Sequence, residues 1–490
     1  MLHLAFDLGS ESGRAVVGEI VSGKIVRETI HRFRTQSFRT CLGRFRNIYR
    51  FYEEIQNALK IFGQMRGSRL ESLGVDAWGS DIVVLDRLGN IAGIPLFYRE
   101  YGNFDVERII EEAVGWDNLY DRTGNQKLTG DTLHQLIYMK HRGYPALNDP
   151  RAILYIADVL HYLLGAVPCC EYTNITDGHL YNKNYNAWDR DILKAFGLPE
   201  GLITPVRHAG DHIGDVDAQI LDEAGLRPPV KIILPAAHDT ASAALAVPDA
   251  NDDDWIFISS GTWSLMCLQT DSPIITEGTK RHYFNNSGMP IRKNMVRKNI
   301  AGMWIIQQCA ERWPGVSYDE IVARAGKAAG EDIFIDVDDP SFSLSANMPV
   351  TVCDKLKETH GAEVDPGDIG RVARICFESL ALKYRFVLER LLEATGKKIN
   401  KVHIIGGGGK NSVLNQYTAN ATGYPVISGV YEATAIGNLM MQAFGCGEVS
   451  DMREIREIIR NTHTLRQFDA QDTASWDKKY HRFKNSLELN

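Results

Sequence analysis

The 490-residue chain is predicted to be an α/β protein built as two similar domains. Three observations carry this. A strand–turn–strand pattern with a Gly/Ser turn opens each half of the chain. Strand-like and helix-like segments alternate after each opening. A polar, acidic run, Pro248-Asp249-Ala250-Asn251-Asp252-Asp253-Asp254, stands between the halves and is unsuited to a core, so the domains are read as 1–248 and 249–490.

The first hairpin is Leu2-His3-Leu4-Ala5-Phe6, a turn over Asp7-Leu8-Gly9-Ser10-Glu11-Ser12-Gly13, and a return from Arg14 to Ile20. Leu73 to Asp86 reads as a further strand, turning at Asp86-Arg87-Leu88-Gly89-Asn90 and returning through Ile94. In the second half, Trp255-Ile256-Phe257-Ile258 is a strand, Ser259-Ser260-Gly261-Thr262 a turn, and Trp263 to Leu268 the return. Aligning the two hairpins places Asp7 over Ser259, Gly9 over Gly261 and Ser10 over Thr262. Apolar residues at helical spacing predict a long helix from Val372 to Leu392. The strand Val402-His403-Ile404-Ile405, four glycines and a helix from Asn411 to Asn420 follow.

Composition excludes several classes. Hydrophobic residues are 44% and charged residues 24%, the balance of a globular protein. A net charge of −8 gives no general attraction to nucleic acid or to an anionic membrane. The eight cysteines are scattered, with no Cys-x-x-Cys pair, which disfavours zinc and a disulfide framework. There is no apolar run of the roughly 18 residues a spanning helix needs, and Met1 leads directly into a strand with no basic leader. A cytoplasmic protein, monomer or homodimer, with small-molecule partners is expected.

Phosphate recognition needs donors at close range, which glycine backbone and Ser or Thr hydroxyls supply. Both turns offer this chemistry, and Arg14 adds a fixed positive charge. Two ordinary Gly/Ser turns remain the alternative. Gly406-Gly407-Gly408-Gly409 lies between a strand and a helix, as a nucleotide loop would. It is neither a Walker loop, since Asn411 follows Lys410, nor the dinucleotide fingerprint, whose third glycine would fall on Asn411. In Pro235-Ala236-Ala237-His238-Asp239-Thr240-Ala241-Ser242, a strand ends and a small-residue helix begins at an acid. Asp239 is read either as a helix N-cap or as a general base for an attacking hydroxyl. Asp7, at a strand end, is a candidate magnesium ligand or a turn-forming Asp. No role is assigned to His3, His134, His141, His208 or His212.

Taken together, Phe6-Asp7-Leu8-Gly9-Ser10-Glu11-Ser12-Gly13-Arg14, Asp76-Ala77-Trp78-Gly79-Ser80-Asp81, Glu171-Tyr172-Thr173-Asn174, His238-Asp239-Thr240-Ala241-Ser242, Ser259 to Leu265, Lys298-Asn299-Ile300 and Glu432 to Asn438 resemble the FGGY carbohydrate kinases across nearly the whole chain. The resemblance implies an actin-like, ribonuclease-H-like duplicated fold with the active site in an interdomain cleft. It also implies ATP and Mg2+, with the first domain binding sugar and the second nucleotide. Asp239 matches the catalytic base, and Gly79, His238, Thr240 and Asn299 match sugar-pocket positions. Ser10, Glu11, Ser12, Gly13 and Arg14 match one phosphate loop, while Thr262, Gln307 and Gly408 match other nucleotide contacts. The implied reaction is transfer of the γ-phosphate to the 1-hydroxyl of L-rhamnulose, with L-fuculose or a xylulose as alternative ketoses. The rival classes are a non-catalytic actin-like ATP switch and a sugar-sensing protein without turnover. The chain departs from the family's pattern at Ser80, at Tyr49-Arg50, at Glu100 and over Tyr101-Gly102-Asn103, all in the sugar half.

Overall fold

The computed structural model describes residues 1–67, 69–98, 100, 104–249 and 254–489. Most of the acidic junction, and the departures at 101–103, lie outside these. The chain forms two compact units: Met1–Ala250 with Gln269–Val296 and Ala433–Thr462, and Asn251–Leu268 with Arg297–Glu432 and His463–Asn490.

The first unit is centred on a sheet of β1 (His3–Leu8), β2 (Ser12–Val21), β3 (Lys24–Arg34), β4 (Ser72–Ala77), β5 (His212–Asp215) and β6 (Lys231–Ile233), ordered β5-β6-β4-β1-β2-β3. β1 is antiparallel to β2 and parallel to β4. It is buried along its whole length because both faces are covered. Leu4, Phe6 and Leu8 join Phe51, Ile55 and Phe62 of helix Ile48–Arg66 in one core. Ala5 lies in a second cluster with Val16, Ala435 and Leu439. Alternate residues of one strand thus serve two helical layers.

The second unit contains β7 (Trp255–Ser260), β8 (Trp263–Thr270), β9 (Asn294–Ala301), β10 (Lys401–Ile405), β11 (Val426–Ser428) and β12 (Arg466–Phe468), ordered β9-β8-β7-β10-β11-β12. Here β7 is antiparallel to β8 and parallel to β10, and β11 is antiparallel to β12. The order repeats that of the first unit, and from β8 to β12 so do the strand directions. Asp7 and Ser259 are each the fifth residue of their strand. The long helix runs over Ile369–Thr395, extending past both ends of the span from Val372 to Leu392 that the apolar period predicts.

Three local features position the site. The segment from Leu73 to Asp86 is not one strand: β4 ends at Ala77, and Ile82–Asp86 pairs with Pro150–Tyr155 in a separate small sheet. Trp78-Gly79-Ser80-Asp81 fills the break. Second, each compact unit is assembled from segments that are not contiguous in sequence. Helix Ala433–Gly445 returns to the first unit because Gly437 lets it approach the helix Asp239–Leu245: a Cβ at Gly437 would overlap the Ser242 carbonyl. Asn438 Nδ2 then reaches Gly74 O at 3.2 Å and Asp76 Oδ2 at 2.6 Å. Third, Asp239 is the first residue of its helix and His238 is the N-cap, so the capping role expected for Asp239 is not the one observed.

Candidate active site

In the first unit, β1, β4 and the start of helix Asp239–Leu245 gather carboxylates. Asp7 is paired in register with both Asp76 and Arg14. Arg14 grips Asp7 Oδ2 through Nε at 2.9 Å and its terminal nitrogen at 2.6 Å. Its charge is therefore engaged by Asp7. Asp76 is fully buried. Burial first, then the charges of Asp7 and Asp239, push its carboxyl well above the usual range, although Asn438 opposes this. Asp76 Oδ1 has no hydrogen-bond partner.

Asp239 is about one third exposed. Its Oδ1 accepts from the Thr240 amide at 2.6 Å and the Thr240 hydroxyl at 3.2 Å, and faces His238 Nε2 at 3.5 Å. These polar contacts converge on one oxygen of the carboxylate. Gly79 lies directly against His238: a Cβ there would stand 2.9 Å from the ring's Cδ2. Position 79 must be glycine if His238 is to keep its place.

The loop before Asp239 is held from below by Glu171. Its Oε2 accepts from Thr173 N at 2.9 Å, Ala237 N at 3.0 Å and the Thr173 hydroxyl. Thr173 Oγ1 in turn accepts from His238 N at 3.1 Å. Burial pushes the Glu171 carboxyl up to about 7. This explains why the sequence carries Glu-Tyr-Thr where it does: both polar side chains position the segment that bears His238 and Asp239.

The turn from Gly9 to Gly13 is tied down through its carbonyls. Gly9 O accepts from the Thr35 hydroxyl, Glu11 O from Thr35 N at 3.2 Å, and Ser10 O from Arg46 at 3.0 Å. The side chains of Ser10, Glu11 and Ser12 are left exposed. Gly13 sits where a Cβ would enter the Phe33 ring. Arg46 is itself buried and paired with Asp81 at 2.7 Å. Asp81 also accepts from Trp78 Nε1 at 2.8 Å and Tyr98 N at 2.6 Å. Arg46 gave no local signal in the sequence, because its partners Ser10, Thr35 and Asp81 are distant along the chain.

In the second unit, Ser260-Gly261-Thr262 is held by the start of helix Trp304–Glu311, with Met303 N on Gly261 O at 3.0 Å and Trp304 N on Thr262 O at 3.1 Å. Thr262 and Gln307, one turn further along that helix, are exposed. The glycine run packs on the same turn: a Cβ at Gly408 would overlap Ser260 Oγ, and Gly406 has φ +83°. Thr262, Gln307 and Gly408 are thereby brought to one neighbourhood. Beside the run is a cavity of about 530 Å³ lined by Tyr318, Lys327, Gly407, Lys410 and Ser412 among others. Asn299 lies in β9, its Oδ1 accepting from Arg297 at 2.7 Å.

No group of three or more metal-ligating side chains occurs among the described residues. Magnesium keeps several waters and takes one or two carboxylates plus substrate phosphates. Asp7, with the unpartnered Asp76 Oδ1 beside it, offers the hard oxygens required. No helix among the described residues is long and apolar enough to cross a membrane.

Known proteins match this chain over nearly its whole length. The model of the FGGY family of carbohydrate kinases, N-terminal domain, matches residues 2–246, and that of the C-terminal domain matches residues 256–446. The chain is 36% identical to a rhamnulokinase of Bacteroides thetaiotaomicron over 483 residues, covering 99% of each. It is 32% identical to a rhamnulokinase of Bacillus subtilis, covering 96% of each. Among solved structures, a ligand-bound xylulose kinase from Lactobacillus acidophilus superposes with TM-score 0.82 at 14% identity, covering 100% of this chain and 99% of that one. Plasmodium falciparum glycerol kinase with ADP superposes with TM-score 0.78 at 14% identity, covering 99% and 97%. These two show the fold: the two-domain, actin-like and ribonuclease-H-like architecture.

Proposed function

Because the chain belongs to the FGGY family of carbohydrate kinases and is an ATP-dependent sugar kinase, we propose that its acceptor is L-rhamnulose, phosphorylated on the 1-hydroxyl with Asp239 as general base. The observation that carries the base is the asymmetry of its carboxylate. Thr240 and His238 occupy Oδ1, so Oδ2 is the atom presented to a hydroxyl. The sugar is supported by two relatives called rhamnulokinase that align over nearly their full lengths.

The reaction follows from these residues. The acceptor hydroxyl gives its proton to Asp239 Oδ2 as its oxygen bonds to the γ-phosphorus. The bond from that phosphorus to the β–γ bridging oxygen breaks, and ADP leaves with the electron pair. Gly79, His238, Thr240 and Asn299 would orient the sugar. Ser10, Glu11, Ser12, Gly13 and Arg14 would contact the phosphates of ATP, and Thr262, Gln307 and Gly408 are assigned to the nucleotide as well. Asp7 would hold magnesium, which when bound supplies positive charge against the phosphates. Positioning provides most of the acceleration.

The test is ADP release measured with L-rhamnulose, L-fuculose and xylulose, using wild type and Asp239→Asn. We expect the highest kcat/KM with L-rhamnulose, and a loss of about 10²–10⁴-fold in the variant at similar KM. Near-full activity in Asp239→Asn would refute the base. A higher kcat/KM for another ketose would replace the sugar.

A further inference from the structure

Two arginines beside the first turn already have carboxylate partners. Arg14 is held by Asp7 through Nε at 2.9 Å and a terminal nitrogen at 2.6 Å. Arg46 is buried against Asp81 at 2.7 Å and donates to Ser10 O and Thr35 O. Both charges are thus balanced within the protein. A turn that receives phosphates needs positive charge from elsewhere.

Strand β3 supplies it. Its register with β2 sets Arg34 across from Ser12, Phe33 from Gly13 and Arg32 from Arg14. Arg14 in turn is across from Asp7, and Asp7 from Asp76. Residues directly opposite in a sheet point to the same face, and residues two apart on a strand share a face. Ser12, Arg14, Arg32 and Arg34 therefore stand on the face that carries Asp7 and Asp76. The opposite face is marked by Gly13, where a Cβ would enter the Phe33 ring, and Phe33 belongs to the core with Phe51 and Ile55. Arg34 is on the rung of the turn itself. The next residue, Thr35, ties that turn, its amide donating to Glu11 O at 3.2 Å and its hydroxyl to Gly9 O. Directly opposed Cβ atoms are about 5 Å apart, less than the length of an arginine side chain, so the guanidinium of Arg34 can reach an anion seated on Ser10 to Ser12. Arg32 and Arg34 are exposed, and among the described residues neither has an acid within ion-pair distance.

We propose that Arg34 is a further ATP-contacting residue: it reaches over the turn from β3, binds phosphate oxygens through its guanidinium fork, and supplies the unpaired positive charge that Arg14, held by Asp7, does not. Its role rests on the proposed seating of the phosphates on the turn from Ser10 to Arg14. Arg32, one row further from the turn, adds to the local field.

Steady-state kinetics of the full chain, with calorimetric titration by ATP, test this. In Arg34→Gln, kcat/KM for ATP should fall about 10–100-fold, the loss expected for a charge-assisted contact. The Kd for ATP should rise in step, KM for the sugar should stay within about twofold, and Tm should hold, because the side chain has no partner to lose. Arg34→Lys keeps the charge without the fork and should fall between the two. Arg32→Gln should cost less than Arg34→Gln. Lys24→Gln removes the same charge from the far end of β3, roughly 33 Å away, and should stay within about twofold of wild type. Arg34→Gln within about threefold of wild type overturns the proposal. So does an equal loss in Lys24→Gln, which would make the effect one of net charge, or an equal loss toward sugar and ATP. Ser12→Glu separates the role of Arg34 from its premise. A carboxylate on the turn must weaken ATP if the turn holds phosphates, whatever Arg34 does. Loss in Ser12→Glu with none in Arg34→Gln removes Arg34 alone; loss in neither refutes the turn as the phosphate site and Arg34 with it.

Discussion

Gly79 and His238 are in contact so close that a single added methyl at position 79 would meet the imidazole at 2.9 Å from Cδ2 and 3.1 Å from Nε2. The loop that interrupts β4 and the strand Ile82–Asp86 thus forms a wall for the residue next to the base. Gly79→Ala must move His238 by several tenths of an ångström, and it would disturb the 3.5 Å approach to Asp239. We expect kcat/KM for the sugar to fall about 10–100-fold while KM for ATP and Tm change little. Steady-state kinetics with each substrate varied would check this.

Glu171 gives a prediction in pH. All three of its donors converge on Oε2 and favour the charged form, but burial outweighs them. Its folded pKa of about 7 lies above the ordinary 4.5. As pH rises from about 4.5 to 7 the unfolded chain gives up this proton while the folded one keeps it, so stability falls across that window and levels off above it. Glu171→Gln preserves the accepting oxygen and removes the ionisation. Its Tm should fall less than that of wild type between pH 5 and 8, by a difference on the order of 2–3 kcal/mol in stability. Parallel pH-dependent unfolding curves for the two proteins would refute it.

Much of this was legible beforehand, and the limit has a physical cause. The two hairpins showed in the sequence because strand alternation and Gly/Ser turns are local signals. The helix Ile369–Thr395 showed for the same reason. Asp239 stood out because an acid at a strand-to-helix junction is conspicuous, although the N-cap proved to be His238. Arg34 gave no such signal. Its meaning comes from the register that sets it across from Ser12 and from the contact that ties Arg14 to Asp7. Likewise, nothing in residues 433–445 says that they pack on β1; only the overlap of Gly437 with Ser242 makes the glycine intelligible.

Gly408 offers a test of the nucleotide side by itself. Its backbone lies where a Cβ would overlap Ser260 Oγ. Gly408→Ala should push the glycine run off the Ser260-Gly261-Thr262 turn. On the proposed role, KM for ATP should rise roughly tenfold, about 1.4 kcal/mol, with KM for the sugar unchanged. Adding Ser260→Gly opens the space and should recover part of the loss. An equal rise in both KM values would mean that the substitution disturbs more than the nucleotide.

Arg46 and Asp81 make the last prediction, because they join the stability of the first unit to its phosphate turn. Their side chains are 1% and 0% exposed, and Arg46 spreads over the Trp78 ring at 4.3 Å while holding Ser10 O and Thr35 O at 3.0 Å each. Burial already raises the Asp81 carboxyl, with Arg46 acting against that rise. Arg46→Met keeps much of the packing but leaves Asp81 buried without its counter-charge, a loss of about 3–5 kcal/mol. The sign of its pH dependence follows. Without Arg46 the folded carboxyl holds its proton to higher pH than the unfolded one, so the variant's deficit should be smallest in acid and grow as pH rises from 5 to 8. The Ser10 carbonyl also loses a donor, so the exposed hydroxyls of Ser10 and Ser12 lose their backing. KM for ATP should therefore rise more than KM for the sugar. Arg46→Met/Asp81→Leu separates the two effects. Removing the stranded charge should restore most of the stability but not the affinity for ATP, since the contact to Ser10 remains missing. Recovery of both together would show that Arg46 acts on the turn only through the stability of the unit.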